Sequence, residues 1–158
     1  IANGGYKIYP KIIVDDENKD YPNDKFAPLY KDQKNIKIVQ DAMFSSTNEV
    51  MGTSYRSRIN DPKYQFAGKT GTAQVKRITE KDRELDLKTF EIPYEERDHA
   101  LYIAFGPYKS PRYALSVLIE HGGNGSTTAA PMAKKLFKLI IDRHLLRESI
   151  NNKKYLEI

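Results

Sequence analysis

The stretch from Leu101 to Leu145 most narrows what this chain can fold into. Leu101-Tyr102-Ile103-Ala104-Phe105 is apolar at every position, so the strand it predicts is buried between layers rather than solvated on one face. Gly106-Pro107-Tyr108-Lys109-Ser110-Pro111 has turn chemistry, and beyond it Tyr113, Leu115, Val117 and Ile119 recur with the two-residue period of a second strand. Two strands joined by so short a turn form an antiparallel hairpin. Gly122-Gly123-Asn124-Gly125 closes it. Ala133, Leu136, Phe137, Ile140, Ile141, His144 and Leu145 then make an apolar stripe at helical steps, with Pro131 suited to the first turn. A sheet with a helix laid over it follows.

Upstream, Ile36, Val39, Met43, Thr47 and Val50 recur at steps of three and four, which predicts an amphipathic helix of about four turns. Gly52 stops it, and Thr53 to Lys63 reads as loop. Phe66 to Val75 has strand composition interrupted by two glycines. After the Gly4-Gly5 turn, Tyr6 to Tyr9 and Pro10 to Val14 read as a short hairpin or extended pair. Residues 15–34 and 76–97 are polar or charged without dependable periodicity and are expected to be surface inserts. Residues 148–158 read as a polar tail that frays. The whole chain, residues 1–158, is expected to be part of one α+β domain and, since it opens directly on Ala2-Asn3-Gly4-Gly5, a piece of a longer protein.

Composition excludes several chemistries. The chain has no cysteine, which removes disulfides, thiolate catalysis and cysteine-based zinc sites. No apolar run approaches the roughly 20 residues that span a bilayer. A net charge of +5 admits an anionic partner, so a basic binding module for nucleic acid or a protein is the alternative to an enzyme. The charges are interleaved, as in Lys81-Asp82-Arg83-Glu84, which is the pattern of a solvated surface and not of a nucleic-acid footprint.

The chemistry centres on Lys69-Thr70-Gly71-Thr72, inside the strand-like Phe66–Val75. A lysine and two hydroxyls on one strand can hold a substrate carboxylate through charge-assisted hydrogen bonds. Glycine lets a substrate backbone approach as an added strand, and the next amide can point at a developing oxyanion. Alone, Lys-Thr-Gly is also compatible with an ordinary turn or bulge. Lys-Thr-Gly is also one of the signatures of serine β-lactamases and penicillin-binding proteins.

Gly68-Lys69-Thr70-Gly71-Thr72-Ala73 resembles the corresponding stretch of class B penicillin-binding proteins without change. The likeness to the penicillin-binding protein 2 type is collinear over most of the chain. It runs through Asn3-Gly4-Gly5, Asp98-His99-Ala100 after a charged insert, Phe105-Gly106-Pro107, Glu120-His121-Gly122-Gly123-Asn124-Gly125 and Ala129-Ala130-Pro131. A β-lactamase of the receptor-sensor type shares the Lys-Thr-Gly strand. The Asn-Gly-Gly hairpin, the insert and the Gly-Pro turn favour the cell-wall enzyme.

The resemblance implies the C-terminal part of a transpeptidase domain of the penicillin-binding protein and serine β-lactamase-like fold. Its antiparallel sheet would combine the Lys-Thr-Gly strand with the C-terminal hairpin, covered by amphipathic helices. It implies a peptidoglycan D,D-transpeptidase working through a serine acyl-enzyme. Lys69 and Thr72 would be catalytic, Thr72 through its backbone N–H as an oxyanion donor. Thr70 and Thr72 would bind the D-Ala-D-Ala carboxylate or that of a β-lactam, and Gly71 would keep the strand edge open. The implied partners are peptidoglycan stem peptides, β-lactams for the whole protein, the N-terminal part of the same domain, and a glycan polymerase of the SEDS type. The implied location is the periplasmic face of a bacterial inner membrane. No cofactor, metal or nucleic acid is expected.

One family element is missing from these residues. No serine is followed three positions later by lysine, so residues 1–158 alone are expected to be inactive. Ser46-Thr47-Asn48 spells the family's second motif but comes after Asn3-Gly4-Gly5, whereas the family's motif precedes it; a polar cluster at a helix C-terminus fits better. His99 reads as a strand-start residue, His121 lacks a third metal ligand at clear spacing, and His144 falls on the apolar stripe.

Overall fold

The computed structural model describes residues 1–6, 31–77, 80–85 and 87–156. Nearly all of the Tyr6–Val14 pair and of the 15–34 insert lies outside them. The chain divides into two compact units, Ile1–Ala42 and Met43–Ile158. In the first, Gly4 and Gly5 both take positive φ, 84° and 85°, closing a turn. Helix α1 (Gln33–Asn48) opens on Asp32, whose carboxylate accepts the Lys34 amide at 2.8 Å as a helix cap.

The second unit carries the sheet. Strand β1 (Ala67–Ala73) is followed by a short helix α2 (Glu80–Leu85), then β2 (His99–Gly106), β3 (Tyr113–Ile119), a π-helical turn at Gly125–Ala129 and helix α3 (Ala130–Leu156). The strands are antiparallel in the order β1-β2-β3. Thr70 faces Tyr102 and Thr72 faces Ala100, while Tyr102 faces Val117 across the second ladder. The strand, hairpin and long helix thus stand where the sequence pattern places them.

Alternation gives the sheet two different faces. One carries Ala100, Tyr102, Ala104 and Val117, all buried with Phe66 against Ala129, Ala130, Ala133, Phe137 and Ile141. Phe66 stacks on Phe137 with centroids 5.0 Å apart and meets Tyr102 edge-on at 6.4 Å. On the other face Phe105 and Ala67 are buried, but Ile103 is 47% exposed and Leu118 54%. The all-apolar run in β2 predicts burial on both sides; α3 covers only the Tyr102 side, and Ile103 stays open among the described residues.

Other details add to or differ from the sequence reading. Val50 continues the periodicity of α1 yet lies beyond its end, 74% exposed. The chain instead folds back so tightly that a Cβ on Gly52 would sit 2.4 Å from the Ser46 carbonyl oxygen, so glycine is required there. Leu136 is 37% exposed, at the margin of the α3 stripe. Helix α3 also runs on to Leu156, through residues read as a fraying tail. Glu148 supports this extension, accepting from Arg112 Nη1 at 2.9 Å and pairing with His144 Nε2 at 2.8 Å one turn back. The 76–97 insert contains α2 and two 3₁₀ turns, Thr89–Glu91 and Tyr94–Glu96.

Candidate functional site

Gly68-Lys69-Thr70-Gly71-Thr72-Ala73 lies on β1, an end strand of the described sheet. An end strand turns alternate N–H and C=O groups away from its neighbour, which is what an added peptide strand pairs with. Thr70 and Thr72 share the face of Tyr102 and Ala100, and Lys69 and Gly71 the opposite one. Lys69 and Thr72 are exposed; Thr70 and Gly71 are half-buried. The two faces still meet at the edge. The Lys69 ammonium bends back to donate to the Thr70 carbonyl oxygen at 2.8 Å and contacts Thr70 Oγ1 at 3.4 Å. The strand therefore brings one cation and one hydroxyl together, with the second hydroxyl two residues along the same face.

Behind this strand is a buried polar cluster that sequence patterning misses. Tyr102 is fully buried, and its hydroxyl lies 2.8 Å from Thr47 Oγ1 and 3.1 Å from Ser54 Oγ. Both partners have other bonds, Thr47 to the Met43 carbonyl and Ser54 to the Ser46 carbonyl. Burial pushes the Tyr102 phenol up, against the opposing pull of its bonds to Ser54 and Thr47, so it stays neutral. The ring fills the space a side chain on residue 68 would need, which explains Gly68 before the lysine. Only Gly68 hints at this in the sequence; Thr47 reads there as part of an apolar stripe.

The Ser46-Thr47-Asn48 triplet is spent on structure. Besides Thr47, Ser46 Oγ lies 3.1 Å from Thr53 Oγ1, and Asn48 Nδ2 donates to the carbonyls of Phe44 and Phe66. Asn48 thereby ties the end of α1 to the entry of β1. His99 and His121 contact each other with ring centroids 4.8 Å apart, and His144 pairs with Glu148.

The sequence matches the family described as the penicillin binding protein transpeptidase domain over residues 1–138. It is 42% identical over 142 residues to the peptidoglycan D,D-transpeptidase MrdA of Acinetobacter baumannii, covering 86% of this chain and 20% of that protein. With MrdA of Salmonella typhimurium it shares 37% over 105 residues, 66% of this chain and 16% of the relative. The chain thus spans about a fifth or less of the length of these relatives. Among solved structures it resembles Pseudomonas aeruginosa PBP2 in complex with WCK 5153 (TM-score 0.61, 28% identity, 87% of this chain and 27% of that one). It also resembles Helicobacter pylori PBP2 in complex with MreC (TM-score 0.58, 31% identity, 77% and 20%). An antiparallel three-stranded sheet under a long helix, with Gly-Lys-Thr-Gly-Thr-Ala on its end strand, is therefore a piece of a known architecture. The chain belongs to the penicillin-binding protein transpeptidase domain family, of the PBP2 type.

Proposed function

We propose that residues 1–158 supply the carboxylate-binding strand and one oxyanion donor of a peptidoglycan D,D-transpeptidase, whose nucleophilic serine lies elsewhere in the polypeptide. The reading is carried by the Lys69–Thr72 segment on an end strand, with the Lys69 ammonium gathered onto Thr70. In this mechanism the hydroxyls of Thr70 and Thr72 hold the terminal carboxylate of a D-Ala-D-Ala stem peptide through charge-assisted hydrogen bonds. The serine oxygen attacks the carbonyl carbon of the penultimate D-alanine, giving up its proton, and the Thr72 N–H stabilises the negative charge that develops on the carbonyl oxygen. Collapse breaks the peptide bond, and D-alanine leaves with the proton it needs as an amine. An amine of a neighbouring stem peptide then attacks the acyl-serine, forms the cross-link and frees the serine. Lys69 provides positive charge and joins the proton network facing the serine; Gly71 leaves room for the substrate backbone. A β-lactam carboxylate would occupy the same clamp.

By the same reading, the open Ile103 and Leu118 face is covered by the N-terminal part of the domain. The whole protein works at the periplasmic face of the inner membrane beside a SEDS-type glycan polymerase, in maintenance of cell shape. Among the described residues no helix is long and apolar enough to cross a membrane.

The test is acylation of the full-length gene product by a fluorescent penicillin. Thr70→Val and Thr72→Val should each slow acylation by about 10- to 100-fold, the worth of one hydrogen bond to a charged group. Labelling at the wild-type rate in both variants, or no labelling of the wild-type product, overturns the proposal.

A further inference from the structure

The mechanism leaves Asp98 and His99 without a task, although they sit where β1 ends. Thr72 and Ala73 are exposed, and Ala73 is the last residue of β1, paired with His99. Among the described residues β1 is paired with a strand on one side only, and such a strand loosens at its last pair. Three hydrogen bonds converge on Asp98 and His99 at this place. The Val75 N–H donates to Asp98 Oδ1 at 3.3 Å, the Gly123 N–H to the Asp98 carbonyl at 2.8 Å, and the His121 N–H to His99 Nδ1 at 3.0 Å. His121 Nδ1 in turn donates to the Arg97 carbonyl at 3.2 Å, and its ring lies against those of His99 and Tyr94.

These bonds grip a turn that would not otherwise keep its shape. His121 has φ 53°, in the left-handed region that side-chain-bearing residues rarely adopt, and Gly123 has φ 77°. The same turn delivers Gly125 against the site strand. A Cβ there would stand 2.5 Å from the Leu101 carbonyl oxygen and 2.8 Å from that of Gly71, so backbone meets backbone. Asp98 thus holds the exit of β1, and with His99 it holds the turn that presses on Gly71.

We propose that Asp98 and His99 are positioning residues for the substrate-binding strand: they clamp the Glu120–Gly125 turn against β1 and so fix the Thr72 amide and hydroxyl. The inference rests on the reading of β1 as the carboxylate-binding strand. A donor displaced by even part of an ångström loses much of its value to a transition state. The role requires an unprotonated Nδ1 on His99 as acceptor, with the proton of the neutral ring on Nε2.

The experiment compares His99→Leu, which has no acceptor, with His99→Asn, whose amide oxygen can take the same bond, in the full-length gene product. The rate of acylation by labelled penicillin is resolved into a binding step and a chemical step. The leucine variant should lose about tenfold in the chemical step with little change in binding, while the asparagine variant recovers to within about threefold of wild type. Acylation of the leucine variant at the wild-type rate overturns the proposal, and so does an equal loss in both variants, which would mark a packing role. If the leucine variant fails to fold, the ¹⁵N shift of His99 Nδ1 in the wild-type protein decides: an unprotonated, hydrogen-bonded nitrogen supports the clamp and a protonated one overturns it. A wild-type product that takes no label refutes the transpeptidase reading instead, and the same nitrogen shift still tests the clamp.

Discussion

Alanine at position 68 should unsettle the site strand although it adds one methyl group. Its Cβ would lie 2.2 Å from Tyr102 Oη, 2.4 Å from Cζ and 2.6 Å from Cε1. Carbon contacts are comfortable at about 3.5 Å, so the ring or the strand must move by about 1 Å. The ring cannot simply swing away, because Tyr102 is fully buried and its hydroxyl is held by Thr47 and Ser54. Overpacking of this kind costs about 1–3 kcal/mol, and weakening one or two neutral hydrogen bonds adds about 1 kcal/mol. The expected total is about 3 kcal/mol. Amide hydrogen exchange at Tyr102 and Ala104 reads the opening of the sheet locally, and this loss corresponds to exchange faster by about a hundredfold. Pairing Gly68→Ala with Tyr102→Ala isolates the clash. With the ring gone, the added methyl should cost almost nothing, so the two substitutions should be far from additive. Equal effects of Gly68→Ala in both backgrounds would mean that the Tyr102 ring is not what the added methyl meets.

Two further outcomes follow from the same packing. Gly125→Ala faces backbone oxygens of Leu101 and Gly71, which cannot rotate away, so it should lower the denaturation midpoint and abolish penicillin acylation together; a folded, acylating variant would count against the contact. Asp142 accepts from Lys138 Nζ at 2.8 Å and from the Tyr64 hydroxyl, and these bonds, that to Lys138 first, hold its carboxyl below the ordinary range. A depressed carboxyl adds stability above its unfolded pKa of about 3.9 and loses it as pH falls through the folded value. Melting midpoints of Asp142→Asn should therefore fall less steeply than those of wild type below about pH 4, and parallel acid limbs would contradict the assignment.

The sequence is most legible where one period dominates. Leu101–Phe105 and Tyr113–Ile119 fall in β2 and β3, and the stripe from Ala133 to Leu145 lies on α3, because local alternation and long-range burial agree there. The Lys69–Thr72 strand is legible through its motif, and it lies at an end of the described sheet. What pattern cannot supply is contact between distant residues. Tyr102 reads as one apolar residue in a run, yet its hydroxyl organises Thr47 and Ser54, 55 and 48 positions away. Val50 fits the helical period but Gly52 turns the chain first, and Ile103 stays exposed because a run of apolar residues does not say which face is covered. His99 looks like a strand start; its acceptor role depends on His121, 22 residues on.

On the proposed function, these residues bind substrate for a serine they do not contain. Mass mapping of the penicilloyl adduct on the full-length gene product tests it most directly. A single adduct is expected on the serine of a Ser-x-x-Lys sequence outside residues 1–158, and none on the isolated 158-residue chain. An adduct on any serine within these residues would contradict it.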